Sequence, residues 1–284
     1  FLLIAIFLII EISFIKYPGI MCDEAGAPKT ALIIKRGLSE NSFTEAIFKK
    51  RIPLMRACHG ALDAYILAFI FYLFPAGVVS IRLMAIFFGA MTIFLTYSFT
   101  KEFFNKKYAL LCILLLVINP GFIMGTKIGV EYGTIMSTIY MGILFLLLKW
   151  YRLKKNIYFC FAMFLLGLGL WSRIWFVWFV FGISLSAIIF KNDIKQRFEI
   201  NRPTKLLKYI ILGVLFFSLG CSPIIYNECA SNLSTVKYVL AGLRNPYAGE
   251  HNNLQYFRNL SVAMDNFCEV LTGKFYFIEF QTHG

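Results

Sequence analysis

The stretch "SIRLMAIFFGAMTIFLTYSFTKEFFNKKYALLCILLLVINPGFI", residues 80–123, decides the fold. It holds two apolar runs separated by "KEFFNKK" (101–107), which carries three Lys and one Glu. A helix needs about 20 apolar residues to cross roughly 30 Å of hydrocarbon. The runs 78–100 and 107–124 are read as two such spans. Working outward, further apolar runs cover 1–15, 130–149, 157–190 and 209–226. The run 157–190 has 34 residues. That is about 51 Å at 1.5 Å per residue, too long for one span. It contains "GLGLWSRIW", with Gly167, Gly169 and Arg173, so two crossings with a tight turn near 170–173 are expected.

Composition points the same way. The chain has 284 residues, 59% hydrophobic and 15% charged, with 31 Phe. This is the balance of a polytopic membrane protein, not of a soluble domain. Residue 1 is Phe inside an apolar run without a basic n-region, so 1–15 reads as a truncated transmembrane helix rather than a signal peptide. The ending "FIEFQTHG" has no obvious stop, and the sequence reads as a fragment missing both ends. A net charge of +13 does not imply nucleic acid in so apolar a chain. Lys and Arg gather in cytoplasmic loops, or meet anionic lipid phosphates. The seven Cys show no CxxC or His-paired spacing and are expected as small apolar residues in helices, not as a disulfide framework.

Charge alternates between linkers. Residues 149–155, "KWYRLKK", have four basic residues and no acid; 191–208 have six basic residues against Asp193 and Glu199. The intervening segments are poor in net charge: 124–132 has one Lys and one Glu, and 227–284 has four basic and five acidic residues. The positive-inside rule puts the first set, with 101–107, in the cytoplasm and the second outside. "AYILAFIFYLF" (64–74), between Asp63 and Pro75, leaves a fork. If it spans, Asp23 and Glu24 face the cytoplasm; if it does not, they lie outside. The eight basic and four acidic residues of 16–60 favour the first branch. Length favours the second, because extending the short run would bury His59 and Asp63 at several kcal/mol. A helix lying in the interface fits the length better. Charge alone leaves the fork open.

The acids in question sit in "YPGIMCDEAGAPK" (17–29), just beyond the first span. Segment 23–37 reads as a short amphipathic helix with Asp23 at its start and Gly37 past its end. On that reading Asp23 is an N-cap. Segment 227–284 reads as a folded outer loop with short helices. It carries "NLS" at Asn232 and Asn259, a weak glycosylation pattern.

Several of these features recur together in a known family. The acid pair after the first span, "RIPLM" (51–55), the helix ending "FYLFPAG", the 80–123 stretch and "GLGLWSRIW" resemble the membrane module of C-type glycosyltransferases. The nearest relatives are the protein O-mannosyltransferases and the lipid A aminoarabinose transferases. The resemblance covers most of residues 1–226. It implies an all-α polytopic bundle with about seven crossings: 1–15, 78–100, 107–124, 130–149, 157–170, 173–190 and 209–226. It also implies a long first outer loop, 16–77, in which 64–74 is a non-spanning juxtamembrane helix.

The implied chemistry transfers a sugar from a polyprenyl- or dolichyl-phosphate donor to a protein, lipid or glycan acceptor, with inversion. A carboxylate near the acceptor takes or orients a proton, and cations face the departing phosphate. The resemblance implies Asp23 as the base or orienting acid, with Glu24 shaping the site. It implies a second acid before the 130–149 span. Glu131 stands there after Lys127, one place short of the family register and with Tyr132 where an Asp would fall. Arg173, a charge within an apolar run, is a functional candidate by default, here for the donor phosphate. The bland alternative is snorkelling beside Trp171 and Trp175. Lys127 and Arg51 are further phosphate candidates. Arg51 stands where the aminoarabinose relatives carry a Lys before a Pro pair, and Lys50 replaces the acid before it. That departure argues against borrowing their metal site.

Glu250 and His251 in "GEHNN" are a donor or acceptor contact or plain loop polarity; adjacent ligands alone make a weak metal site. No cofactor is expected beyond the lipid donor, although a divalent metal is conceivable. The expected setting is a multi-pass bacterial or archaeal inner membrane, with the site outside. The competing class is a transporter or flippase of lipid-linked or polar substrates. It would place charges midway along broken spans, whereas here Arg82 and Glu131 fall near span ends.

Overall fold

The computed structural model describes residues 2–13, 15–16, 25–40, 53–56, 59–128, 134–198 and 203–231, with 233, 236–237, 260–261, 264–265 and 267–268 beyond them. Among the described residues the chain is a helix bundle with one two-residue-per-strand hairpin.

The apolar runs 1–15, 78–100, 130–149 and 157–190 become helices close to their expected bounds, whereas 107–124 and 209–226 are each interrupted by a bend. α1 is Leu2–Ser13, α2 Gly26–Glu40 and α3 Leu62–Leu73. α4 (Val78–Phe103) and α7 (Thr134–Leu153) are each long and apolar enough to cross a membrane. Three bent helix pairs reach that length and composition together, which gives two to five candidate spans among the described residues.

The run 107–124 is not one straight helix. α5 (Lys106–Ile118) stops at Asn119, which is extended (φ −71°, ψ 115°). Pro120 follows, and the residue before a proline is pushed out of the α region. α6 (Pro120–Ile128) departs at 60°. The Asn119 side chain accepts the Phe122 N–H at 2.9 Å, so the break is capped. Asn105 does the same for α5, accepting from the Lys107 and Tyr108 amides at 2.9 and 3.2 Å.

α8 (Asn156–Ser172) ends at Arg173, where a 3-10 turn (Ile174–Phe176) leads into α9 (Val177–Ile189). This is the expected break near 170–173. α10 (Lys191–Phe198) bends 70° from α9, and α11 (Pro203–Gly220) bends 68° into α12 (Ser222–Ala230). α9 buries none of its residues, and Trp178, Phe181 and Ile188 stay exposed. In hydrocarbon that exposure carries no hydrophobic penalty, because lipid tails are as apolar as the helix.

Side-chain contacts fix the helix directions. Thr138 donates to the Phe88 carbonyl at 2.7 Å and pairs with Thr92 at 2.9 Å, while Gly142 faces Leu95. α4 and α7 therefore run parallel, and α5–α6 return between them. Gly142 also faces Leu165 while Trp150 packs on Phe159, so α8 is antiparallel to α7. Gly213 faces Phe159 and Met163, and Gly220 meets Phe164 and Leu168, so α11 is parallel to α8 and the chain between them returns. At the α8–α11 crossing, a Cβ on Gly167 would run into the Phe217 carbonyl and one on Gly220 into the Phe164 carbonyl. Two glycines let the backbones touch, as at small-residue crossings in membranes. α1 meets α4 and α6 where Phe7 packs on Gly89 and Phe122.

α2 and α3 pack on each other. Ala27, Ala31 and Ile34 share one buried cluster with Ala61, Ala64, Leu67, Ala68 and Phe71. α2 continues through Gly37, where the sequence pattern alone would end it. Gly37 follows Ile34 by three residues on this buried stripe, and packing holds the helix past the glycine. Lys35 locks the far end, donating to the Phe71 carbonyl at 2.6 Å while Tyr72 donates to the Lys35 carbonyl at 2.9 Å. A cation at a helix C-terminus is favourable with the helix dipole.

Candidate active site

The bundle has two chemically different ends. One end collects the Lys- and Arg-rich linkers. Lys149 pairs with Glu102 there, linking 149–155 to 101–107. Arg197 of α10 donates to the Tyr151 and Arg152 carbonyls at 3.3 and 3.4 Å. The three basic segments seen in the sequence thus share one end.

The opposite end gathers the C-termini of α1, α6 and α8 with the N-termini of α4 and α7. It carries two charged clusters, both largely buried. In the first, Glu11 of α1 is 1% exposed and accepts a 2.7 Å hydrogen bond from the Thr126 hydroxyl of α6. The positive charges of Lys127 and Arg82 act on the same carboxylate. Both cations are themselves buried.

The second cluster is built on a hairpin. β1 (Met55–Arg56) pairs antiparallel with β2 (His59–Gly60), and His59 forms a further bridge with Arg173. Trp171 donates its indole N–H to the Leu54 carbonyl at 2.9 Å. A Cβ at Gly60 would collide with the Trp171 carbonyl, so only glycine allows this close docking. The hairpin thereby brings Arg56 and Asp63 to Arg173. Arg56 Nη2 lies 2.5 Å from Asp63 Oδ2, and Arg173 Nη2 lies 3.9 Å from the same oxygen. Asp63 sits in the first turn of α3, and its Oδ1 accepts the Ala64 amide at 2.8 Å. A helix N-terminus favours a carboxylate in that place. The Tyr65 ring packs on Trp171, and burial pushes its phenol up to about 12, so it stays neutral.

Of the residues singled out in the sequence, Arg173 and Lys127 are thus at this end, one in each cluster. Asp23, Glu24, Arg51, Glu131, Glu250 and His251 lie outside the described residues. Their chain neighbours are informative. Lys127, four residues before Glu131, lies in the first cluster, and α1, the helix that precedes Asp23 in the chain, carries Glu11 of the same cluster. Among the described residues, no group of three or more His, Cys, Asp and Glu has a metal-holding arrangement.

The family described as dolichyl-phosphate-mannose-protein mannosyltransferase matches residues 59–224. The chain belongs to this family. It is a membrane glycosyltransferase of the C type, and the family uses a dolichyl-phosphate sugar donor. No curated protein and no solved structure matches the chain. The matched region opens at His59, within the hairpin, and takes in Asp63, Arg82, Lys127, Glu131 and Arg173.

Sequence reasoning missed the two acids that organise these clusters. Glu11 has a readable signal: a lone carboxylate in an apolar run is a functional candidate by default. Asp63 reads in the sequence only as an obstacle to spanning. Its arginine partners come from a hairpin and a helix end far apart in the chain, and no local pattern joins them.

Proposed function

We propose that the chain transfers a mannosyl group from a dolichyl- or polyprenyl-phosphate donor to a hydroxyl or amide acceptor, at the outer face of the membrane. The family match over 59–224 carries this reading. The acceptor oxygen or nitrogen attacks the anomeric carbon from the face opposite the phosphate. The bond between that carbon and the phosphate oxygen breaks, the electron pair leaves with the polyprenyl phosphate, and the anomeric configuration inverts. Asp23 takes the acceptor proton, and Glu24 and Glu131 shape the acceptor side. Arg173, Lys127 and Arg51 meet the growing negative charge on the phosphate, where fixed cations are worth most. Glu250 and His251 contact the sugar or acceptor.

The reading takes seven crossings, with α3 in the interface. Twelve residues of α3 make about 18 Å, as do those of α1, so its surroundings rather than its length decide its place. Its buried face is covered by α2, which carries Lys29, Lys35 and Arg36, and cations at bilayer depth are disfavoured. The acid-bearing end then faces outward because the opposite end holds the basic linkers.

The test supplies radiolabelled dolichyl-phosphate mannose to the purified full-length protein and to Asp23→Asn. Transfer is expected to fall by a factor of about 100 or more, the usual range for a lost general base. Unchanged transfer in the variant would remove Asp23 from the reaction. For the topology, Gly26→Cys, with the native thiols replaced, is expected to react with an impermeant thiol reagent added from outside. Protection there would return α3 to a spanning role.

A further inference from the structure

We propose that Asp63 is a positioning residue of the donor-phosphate receptor, holding Arg56 and Arg173 side by side; this rests on the reading of Arg173 as a phosphate ligand. Three observations carry it. Asp63 is 3% exposed and next in the chain to Ala64 of the buried apolar cluster, so its charge is sustained by neighbours rather than by water. Both guanidinium groups approach one oxygen of this carboxylate, at 2.5 and 3.9 Å, with the arginine side chains only 14% and 13% exposed. The backbones bearing them are already tied together by the His59–Arg173 bridge, the Trp171–Leu54 hydrogen bond and the close seat of Gly60.

The backbone ties place the two arginine stems, but they do not set where the guanidinium planes end. Like charges brought together in a poorly hydrated place repel, and a carboxylate between them offsets that repulsion. A carboxylate fixed at a helix N-terminus removes that freedom. This matters because arginine reads a phosphate through the orientation of its planar fork. Arg56 enters the receptor by the same argument, although no local sequence pattern marks it. Asp63 does not touch the donor; it acts through the arginines.

The test measures donor KM and kcat with dolichyl-phosphate mannose for wild type, Asp63→Asn, Asp63→Glu, Arg173→Gln and the Asp63→Asn/Arg173→Gln double variant. Asp63→Asn is expected to raise donor KM about tenfold, the equivalent of one charge-assisted contact, with kcat within about threefold. Asp63→Glu, which restores the carboxylate, is expected to recover most of the loss. In the double variant Asp63→Asn is expected to add less than its full single-variant factor to Arg173→Gln, because only Arg56 is left to position. Independent, multiplying losses would overturn the proposal, as would a loss confined to kcat or no recovery with Glu. If Arg173→Gln raises KM and Asp63→Asn does not, the positioning role alone falls. If Arg173→Gln leaves KM unchanged, the phosphate assignment falls and takes this proposal with it.

Discussion

Glu11 offers the sharpest test of how the bundle end is held. The substitution Glu11→Gln keeps the size of the side chain and an oxygen for the Thr126 hydroxyl, which now donates at 2.7 Å. It removes only the charge that faces Lys127 and Arg82. Those two cations are 9% and 2% exposed, so water does little to replace the lost carboxylate. Removing a carboxylate that faces buried cations costs up to about 3–5 kcal/mol where nothing else supports them, and less here because Lys127 and Arg82 have other partners as well. The neutral hydrogen bond that survives is weaker than the charge-assisted one by about 1 kcal/mol, a small part of this. Thermal unfolding of the detergent-solubilised protein should therefore show a loss of more than about 1 kcal/mol for Glu11→Gln. Added salt should not erase the difference, because buried pairs are screened little. The double variant Glu11→Gln/Lys127→Met should regain part of the lost stability, because it removes one of the two cations that the carboxylate faced. A Glu11→Gln protein within about 0.5 kcal/mol of wild type, the scatter of ordinary surface changes, would refute the electrostatic account and leave Glu11 as a hydrogen-bond acceptor only.

Two further outcomes concern helix packing. Gly220→Ala drives a Cβ into the Phe164 carbonyl and to 2.9 Å from the Leu168 amide nitrogen. It should destabilise the α8–α11 crossing by about 1–3 kcal/mol or more in the same unfolding assay, since both obstacles are backbone. Adding Gly167→Ala should cost less than the sum, because one separation of the helices relieves both. Thr138→Val removes the hydroxyl that joins α7 to the Phe88 carbonyl and to Thr92. It should cost about 0.6 kcal/mol, the average for hydrogen bonds between membrane helices.

How much of the fold is legible in the sequence follows from the range of each signal. Hydropathy is local and strong, and the runs at 78–100 and 130–149 become α4 and α7 with small shifts in their ends. The break at Arg173 is also readable, because a run of 34 residues outruns the bilayer. The bend at Asn119–Pro120 is equally local. It escapes a reading that weighs apolar length ahead of the constraint that proline places on its predecessor. Pairings across the bundle lie in another class. Nothing near Asp63 announces Arg173, and the tie between them depends on a hairpin that seats only because residue 60 is glycine. Such contacts are a property of the fold, and they emerge only once helix directions are known.

The two ends of the bundle differ in how they treat positive charge, and the difference bears on function. Cations in the linker end stand mostly in the open, where hydration supports them and orientation does little. At the other end Arg82, Lys127, Arg56 and Arg173 are drawn into the protein, and each lies near a buried acid. Buried ion pairs rarely stabilise a protein more than apolar side chains of the same volume would. Stability by itself is therefore a poor reason for two such clusters at one end. Fixed cations in a water-poor place do suit a reaction in which negative charge grows on a departing phosphate, since they need no reorientation when the bond breaks. The lipid tail of such a donor confines that phosphate to the membrane surface, which is where helix ends lie. The acids Glu11 and Asp63 then share one physical role, because both keep cations oriented where solvent would otherwise be needed to keep them at all.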